Sequence, residues 1–350
     1  MFIYLSFFLA LAFAGLFVKS RKAQDAALGV FGVALILFMG TRYETGCDYK
    51  AYEARFQFLY ADPSYLSYLD QEEPGFHWLN LAVHQLGLDY MWMNLAASLL
   101  FVVCLVRFAR LSPAPLLLLA LCFPIVIVQL GMSGLRQALA VGFLLQALIS
   151  FTQRGQIMTG LWILVAAQFH QSAYMFLPLA MMAGRKFSLP IAVVAMLLLG
   201  PAAVFLLGER ADVYSDRYVE QIYGENASGG AVFRYALALI PCIFFEIYSK
   251  RVLRALPNIY PLLRTFSLAT FALAPIGVLS TVALHRLTFY ILPMSMYLFI
   301  CVAMVMPIKH GLSRKYLVFP AMGMGLYLIT WFTLSRHASA CFVPYDSFLL

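Results

Sequence analysis

The sequence predicts an all-α, polytopic helical membrane protein, and three observations carry the prediction. Of 350 residues, 63% are hydrophobic and only 11% are charged, whereas an ordinary soluble domain has about 25% charged residues. The mean hydropathy is +0.84. The apolar residues fall in runs of about 17 to 23, long enough to cross a hydrocarbon layer as helices. No segment alternates apolar and polar residues in the roughly ten-residue pattern of a membrane β-barrel strand. The formal net charge of +8 has to be placed loop by loop, and it is not read as a nucleic-acid surface.

The apolar segments run over residues 2–18, 26–41, 90–106, 114–130, 136–152, 157–183, 189–207, 233–249, 262–282, 287–306 and 316–334. The chain opens MFIYLSFF, with no basic residue before Lys19. No cleavable signal peptide is therefore expected, and Met1 is expected outside. Basic clusters follow at Lys19, Arg21 and Lys22, at Arg107 and Arg110, at Arg154, and at Arg185 and Lys186. Two more follow, at Lys250, Arg251 and Arg254 and at Lys309, Arg314 and Lys315. Short loops rich in Lys and Arg stay cytoplasmic. All these clusters fall on one side on two conditions. Residues 74–88 must form an interfacial or half-inserted helix. Residues 157–183, broken by Gln168, His170, Gln171 and Ser172, must turn back as two half-helices. Irregular backbone at that depth is tolerated only where it lines protein or a wet cavity.

The expectation is about ten full spans plus one re-entrant helix pair, with both termini outside. No internal repeat or linker divides the chain, so residues 1–350 are read as a single transmembrane domain. It has two outer loop regions, 42–89 and 208–232.

Most carboxylates then fall outside. The densest polar stretch is Thr41 to Phe56, TRYETGCDYKAYEARF, which follows an apolar run. It carries Arg42, Glu44, Asp48, Lys50, Glu53 and Arg55 and is read as the roof of an outward site. Arg136 follows Gly131, Ser133 and Gly134, with Ser133 a reasonable helix N-cap. The open helix start beside an arginine suits an anion; snorkelling to lipid headgroups is the structural alternative. Arg42, Arg217, Arg286 and Arg336 also fall at the outer mouth, where Lys50 is the only lysine. Arginine forms planar, bidentate bonds to phosphate.

His170 sits among other polar residues deep in an apolar run, which is costly without a role. It is either a satisfied structural histidine or a base. Cys104, Cys122, Cys242 and Cys301 lie in apolar runs and are read as small buried hydrophobes. No CxxC, Cys/His or Asp-x-Asp metal pattern is present, and no metal site is expected. Cys47 and Cys341 both fall outside and are left open as a pair or as two thiols.

These residues resemble the EpsG-like, Wzy-type polysaccharide polymerases. The matching motifs are Arg42, Gly46-Cys-Asp48-Tyr49 with Tyr52 and Phe56, Glu73-Pro-Gly-Phe76, Arg136-Gln137 with Ala140, Phe169-His170 with Ser172, and Pro344-Tyr345. Cys47 departs from the small polar residue expected at that position. The resemblance implies a GT-C-like fold in the bacterial inner membrane, with the active site facing the periplasm. It implies a glycosyltransferase, using no soluble cofactor and no metal, that joins undecaprenyl-diphosphate-linked repeat units into an exopolysaccharide or O-antigen. The implied partners are lipid-linked donor and acceptor, the bilayer and a chain-length regulator protein, with no nucleic acid.

Asp48 and His170 are the expected catalytic residues. Arg42, Arg136, Arg286, Arg217 and Arg336 are expected to hold the diphosphate. Glu44, Tyr49, Glu73, Gln137 and Tyr218 are expected to meet substrate or acceptor. A lipid-linked oligosaccharide flippase is the alternative, but it should show two related halves and a central basic cavity.

Overall fold

The computed structural model describes residues 1–61, 73–184, 190, 194, 228–279 and 281–349. Among them the regular structure is helical, except for one antiparallel pair, β1 (Arg42–Tyr43) against β2 (Asp346–Ser347). Among the described residues, five helices are long and apolar enough to cross a membrane: Arg21–Gly40, Tyr90–Ala109, Leu135–Thr152, Gly230–Ala255 and Ala283–Val305. Phe2–Phe17, Pro115–Gly131, Gln156–Ala167 and Val318–Leu334 are shorter apolar helices. This is an all-α membrane protein. The expected outer-loop residues Arg217 and Tyr218 lie outside the described residues, as do residues 62–72 and nearly all of the apolar segment 189–207.

The chain divides into two compact units. The first takes Met1–Gln146, Val165–Gln171 and Leu317–Leu350. Its elements in order are α1 (Phe2–Phe17), α2 (Arg21–Gly40), β1, α3 (Tyr49–Ala61), α4 (Pro74–Gln85), α5 (Tyr90–Ala109) and α6 (Pro115–Cys122). A π-helical stretch (Phe123–Gly131) extends α6. Pro124 cannot donate a backbone hydrogen bond, and a widened turn there accommodates the interruption. Then come α7 (Leu135–Thr152) and, after α8 (Gln156–Ala167), the bend carrying His170. The unit closes with α14 (Val318–Leu334), α15 (Arg336–Cys341) and β2. The packing is aromatic and close. Phe7 of α1 stacks on Phe123, with ring centres 5.6 Å apart, and Gln129 donates to the Tyr327 hydroxyl of α14 at 2.8 Å.

This unit has two chemically distinct ends. At one, Arg21 donates to the Arg110 carbonyl at 2.6 Å, and both arginines lie beside Asp25. Two of the basic clusters are therefore neighbours. At the other end lie the Thr41–Tyr49 turn, the Gly131–Gly134 turn and the returning C-terminal tail. Phe348 N donates to the Thr41 carbonyl at 2.8 Å, and the Tyr345 hydroxyl donates to the Phe38 carbonyl at 2.8 Å.

The second unit takes Ala147–Leu164 and Ser172–Tyr316. Within it a 3-10 turn (Gln171–Phe176, from Ser172 onward) and α9 (Pro178–Met182) precede the helices α10 (Ser228–Ala255), α11 (Tyr260–Ala272), α12 (Ala274–Leu279) and α13 (Thr281–Val305). Long helices α10 and α13 pack along one another. Met175, Tyr235, Leu273, Leu284, Leu287 and Ile291 form a shared core. Glu246 of α10 pairs with Arg264 of α11 and accepts from Ser267 at 2.7 Å. That pairing gives an otherwise costly membrane charge a partner.

The expected break in 157–183 is where the polar residues put it. Helix α8 stops at Ala167, and the Gln168 carbonyl, freed from the helical ladder, accepts from Gly75 N at 2.9 Å. One expectation needs adjustment. Arg286 lies between the expected apolar segments 262–282 and 287–306, but α13 already begins at Thr281, so Arg286 rides on its early turns.

Candidate active site

The site is built on a glycine. Gly46 has φ of +110°, a conformation that disfavours any side chain. A Cβ there would meet the Met132 carbonyl oxygen at 2.0 Å. Only glycine lets the loop lie flat on the turn before α7. Three further ties hold it. Gly46 N donates to the Cys341 carbonyl at 2.7 Å. Cys47 and Cys341 form a disulfide, which decides the pairing that the sequence left open. Asp48 N donates to Ser133 Oγ at 3.3 Å. Ser133 was expected to cap α7; it instead seats the Asp48 loop on the start of that helix.

Arg42 differs from its expectation as a phosphate ligand. It is only 1% exposed. Nε donates to the Thr45 carbonyl at 3.1 Å, Nη1 donates to the Met39 carbonyl, and the guanidinium lies 5.9 Å from the Tyr49 ring centre. The helix end at Gly40 leaves carbonyls without intrahelical partners, and Arg42 takes one of them. It braces the turn. Tyr49 is likewise buried, edge-on to Tyr90 at 5.2 Å, and burial raises its phenol's pKa. Glu44 is exposed and pairs with Lys50 at 3.0 Å.

Arg136 stands one turn into the site, on the first residues of α7. Its Nη1 contacts Glu73 Oε2 at 2.7 Å, and Nε reaches the Tyr52 hydroxyl at 3.5 Å. The guanidinium also lies 6.0 Å from the Tyr52 ring centre. Burial pushes the Tyr52 phenol up; the charge of Arg136 pulls it down, and the carboxylates of Asp48 and Glu73 push it up again. Tyr52 thus keeps its proton at neutral pH. The same balance shows that Asp48, Glu73 and Arg136 act on one aromatic ring. An arginine–carboxylate contact of this length is a strong, charge-assisted hydrogen bond. The pair is part-buried, and a guanidinium enclosed to this degree is stabilised by an anion beside it.

The His170 bend joins this set through α4. Glu73 precedes Pro74 at the first turn of α4. Gly75, next along, is pressed so closely on the bend that a Cβ would lie 2.8 Å from Gln168 Cβ. Phe169 stacks on Phe143 of α7 at 5.0 Å. His170 itself is half-buried, and Gln137, after Arg136, is buried. Asp48, Glu73, Arg136, Gln137 and the His170 bend are therefore gathered within the first unit. Arg336 is exposed on α15, the helix that ends in Cys341. Arg286 belongs to the second unit.

Tyr52 and His77 are the residues the sequence reading underweighted. Tyr52 was one residue of a motif, and its contact with Arg136, 84 residues away, becomes visible only in the fold. His77 is buried on the first turn of α4, and its Nδ1 finds no partner among the described residues.

A family model described as the EpsG family matches residues 25–347. The chain belongs to the EpsG family. Membership extends over the loop at Gly46, the Glu73-Pro-Gly start of α4, Arg136 and the tail at Pro344-Tyr345. It makes this EpsG-family chain a membrane protein of the polysaccharide-polymerase type. No curated relative and no solved structure matches it.

One group in this EpsG-family protein could be mistaken for a metal site. Cys47, Cys341 and His337 hold their ligand atoms within 4.8 Å of one another. The two sulfurs are bonded to each other, and a disulfide sulfur is not the thiolate a metal requires.

Proposed function

We propose that this EpsG-family chain is an inner-membrane glycosyltransferase that polymerises undecaprenyl-diphosphate-linked oligosaccharide repeats on the periplasmic face. In this reading the chain is one membrane domain of about ten spans plus a re-entrant pair, GT-C-like, with outward regions at 42–89 and 208–232. A single observation carries it. Arg136, Glu73, Tyr52, the Asp48 loop and the His170 bend meet at one end of the first unit, away from the Arg21–Arg110 basic end. The arrangement supports a reaction that must hold an anion and accept a proton in one place.

The chemistry is one displacement. An acceptor-sugar hydroxyl attacks the anomeric carbon of the donor, and the bond from that carbon to the lipid diphosphate breaks. The electron pair leaves on the diphosphate, and the hydroxyl proton passes to a base. Arg136 meets the growing phosphate charge with a planar fork, and Arg336 is the further arginine of the same unit assigned to the diphosphate. Asp48 and His170 share the remaining work, one as base and one orienting acceptor or phosphate. Glu44 and Gln137 are assigned to the acceptor, while Tyr49 is buried beside Arg42 and braces the loop instead. Nothing in this sequence of steps requires a metal or soluble cofactor.

The test is direct. Purified protein in lipid, given undecaprenyl-diphosphate-linked repeat units, should produce a ladder of longer lipid-linked glycans. Movement of the lipid-linked unit across the bilayer with no ladder would favour the flippase reading instead.

A further inference from the structure

Arg136 is neutralised by a carboxylate of its own chain, and the way this is done is informative. The contact with Glu73 uses Nη1, while Nε points to a phenol at the long distance of 3.5 Å. The guanidinium fork, which can grip a partner bidentately, is thus not filled by its carboxylate. The Arg136 side chain keeps 29% of its surface, whereas Glu73 keeps 11%. The arginine is the more open partner of the two. Glu73 immediately precedes α4, on a different element from Arg136. Its own backbone carbonyl accepts from Phe76 N and His77 N, and the next turn is anchored by Gly75 to Gln168. Breaking the side-chain contact with Arg136 leaves these backbone bonds of α4 intact.

A diphosphate carries more charge than a carboxylate and offers oxygens that match both arms of the fork. At an arginine this enclosed, charges interact through a lower effective dielectric than in water, so the better-matched anion wins by more.

We propose that Glu73 is a displaceable stand-in for the donor's diphosphate: it neutralises Arg136 until the lipid diphosphate arrives and then yields it. The inference rests on the function proposed above for the identity of the ligand. It adds an order to the cycle. Donor binding comes first, and only then is the Glu73 carboxylate released to meet hydroxyls of the acceptor sugar. Glu73 is a positioning residue here, because it acts by holding and releasing Arg136. A purely structural ion pair makes the opposite forecast, since a brace strengthens the site it holds.

The experiment measures binding of undecaprenyl diphosphate to the purified full chain, alongside thermal unfolding, for wild type, Glu73→Gln, Glu73→Asp and Arg136→Gln. Glu73→Gln removes the internal competitor and should bind the probe at least about tenfold more tightly, equivalent to 1.4 kcal/mol. Glu73→Asp, one methylene shorter but still charged, should gain less. Arg136→Gln should lose binding. If wild type binds the probe and folded Glu73→Gln binds it equally or more weakly, the stand-in is wrong and the pair is a brace. If Glu73→Gln does not fold, Glu73→Asp decides, and an unchanged or weaker affinity there overturns the proposal. If wild type does not bind undecaprenyl diphosphate, the functional reading falls and takes the stand-in with it.

Discussion

At the scale of single residues, two arginines of similar sequence setting do different jobs. Arg42 and Arg136 both sit where an apolar helix meets a polar turn. The sequence makes both of them phosphate ligands, because an arginine's direction is not written in its neighbours. Arg42 points inward to carbonyls of its own turn; Arg136 points to a carboxylate and a phenol. Arg42→Gln should therefore destabilise the protein by about 3 kcal/mol or more, because carbonyls that it satisfies lose their partner. The check is thermal unfolding beside undecaprenyl diphosphate binding. Full stability with lost binding would return Arg42 to the ligand set.

Glu53, half-buried on α3, gives a pH prediction. Burial raises its carboxyl pKa, and the nearby Glu44 charge adds to the rise, while Lys50 opposes it. A carboxyl whose folded pKa lies above its unfolded value binds protons more readily in the folded state. Stability then falls as pH rises from the ordinary carboxylate range through the raised value. Glu53→Gln should raise the melting temperature near neutral pH and flatten that fall. A lowered melting temperature at pH 7 would show that the charged form is favoured.

At the scale of elements, the helices were legible and their ties were not. Apolar runs with turn residues between them marked α5, α7 and α14 closely, because length and composition alone decide what can span a bilayer; α10, Ser228–Ala255, outruns its apolar segment 233–249 at both ends. The polar break at Gln168 was legible for the same reason, since no helix carries four polar residues into lipid without cause. The β1–β2 pairing joins segments about 300 residues apart, and its two-residue strands leave no periodic signal. Cys47 and Cys341 are 294 residues apart, and only the fold brings them together. The disulfide closes nearly the whole chain and anchors the Asp48 loop to α15. Cys47→Ser should lower stability by about 2–4 kcal/mol. It should also slow glycan transfer more than it weakens binding of undecaprenyl diphosphate, because Arg136 stays in place while Asp48 loosens. Equal rates with and without dithiothreitol would show that the loop is held well enough by Gly46 and Ser133.

At the scale of the whole molecule, the site was legible as a set of motifs and not as a geometry. The motifs at Gly46, Glu73 and Arg136 were read as outward-facing and His170 as deep in an apolar run, and the first unit brings them to one end. The basic clusters carry the expectation that this end faces outward, and two of them, at Arg21 and Arg110, share the opposite end. The native cysteines are bonded or buried, so added thiols report cleanly. A cysteine at Gln85, at the exposed end of α4, should react with an impermeant reagent in whole cells. One at Lys19 should react only after lysis. The reverse pattern would invert the orientation.

The central claim is that Arg136 grips a lipid diphosphate while a sugar is transferred. It is tested most directly by the rate of ladder formation in Arg136→Lys protein that folds and inserts as wild type does. Lysine keeps the charge and loses the planar fork. The account predicts a loss of about 10²-fold or more, in line with removal of a transition-state charge contact. A wild-type rate from Arg136→Lys, and again from Arg136→Ala, would contradict it.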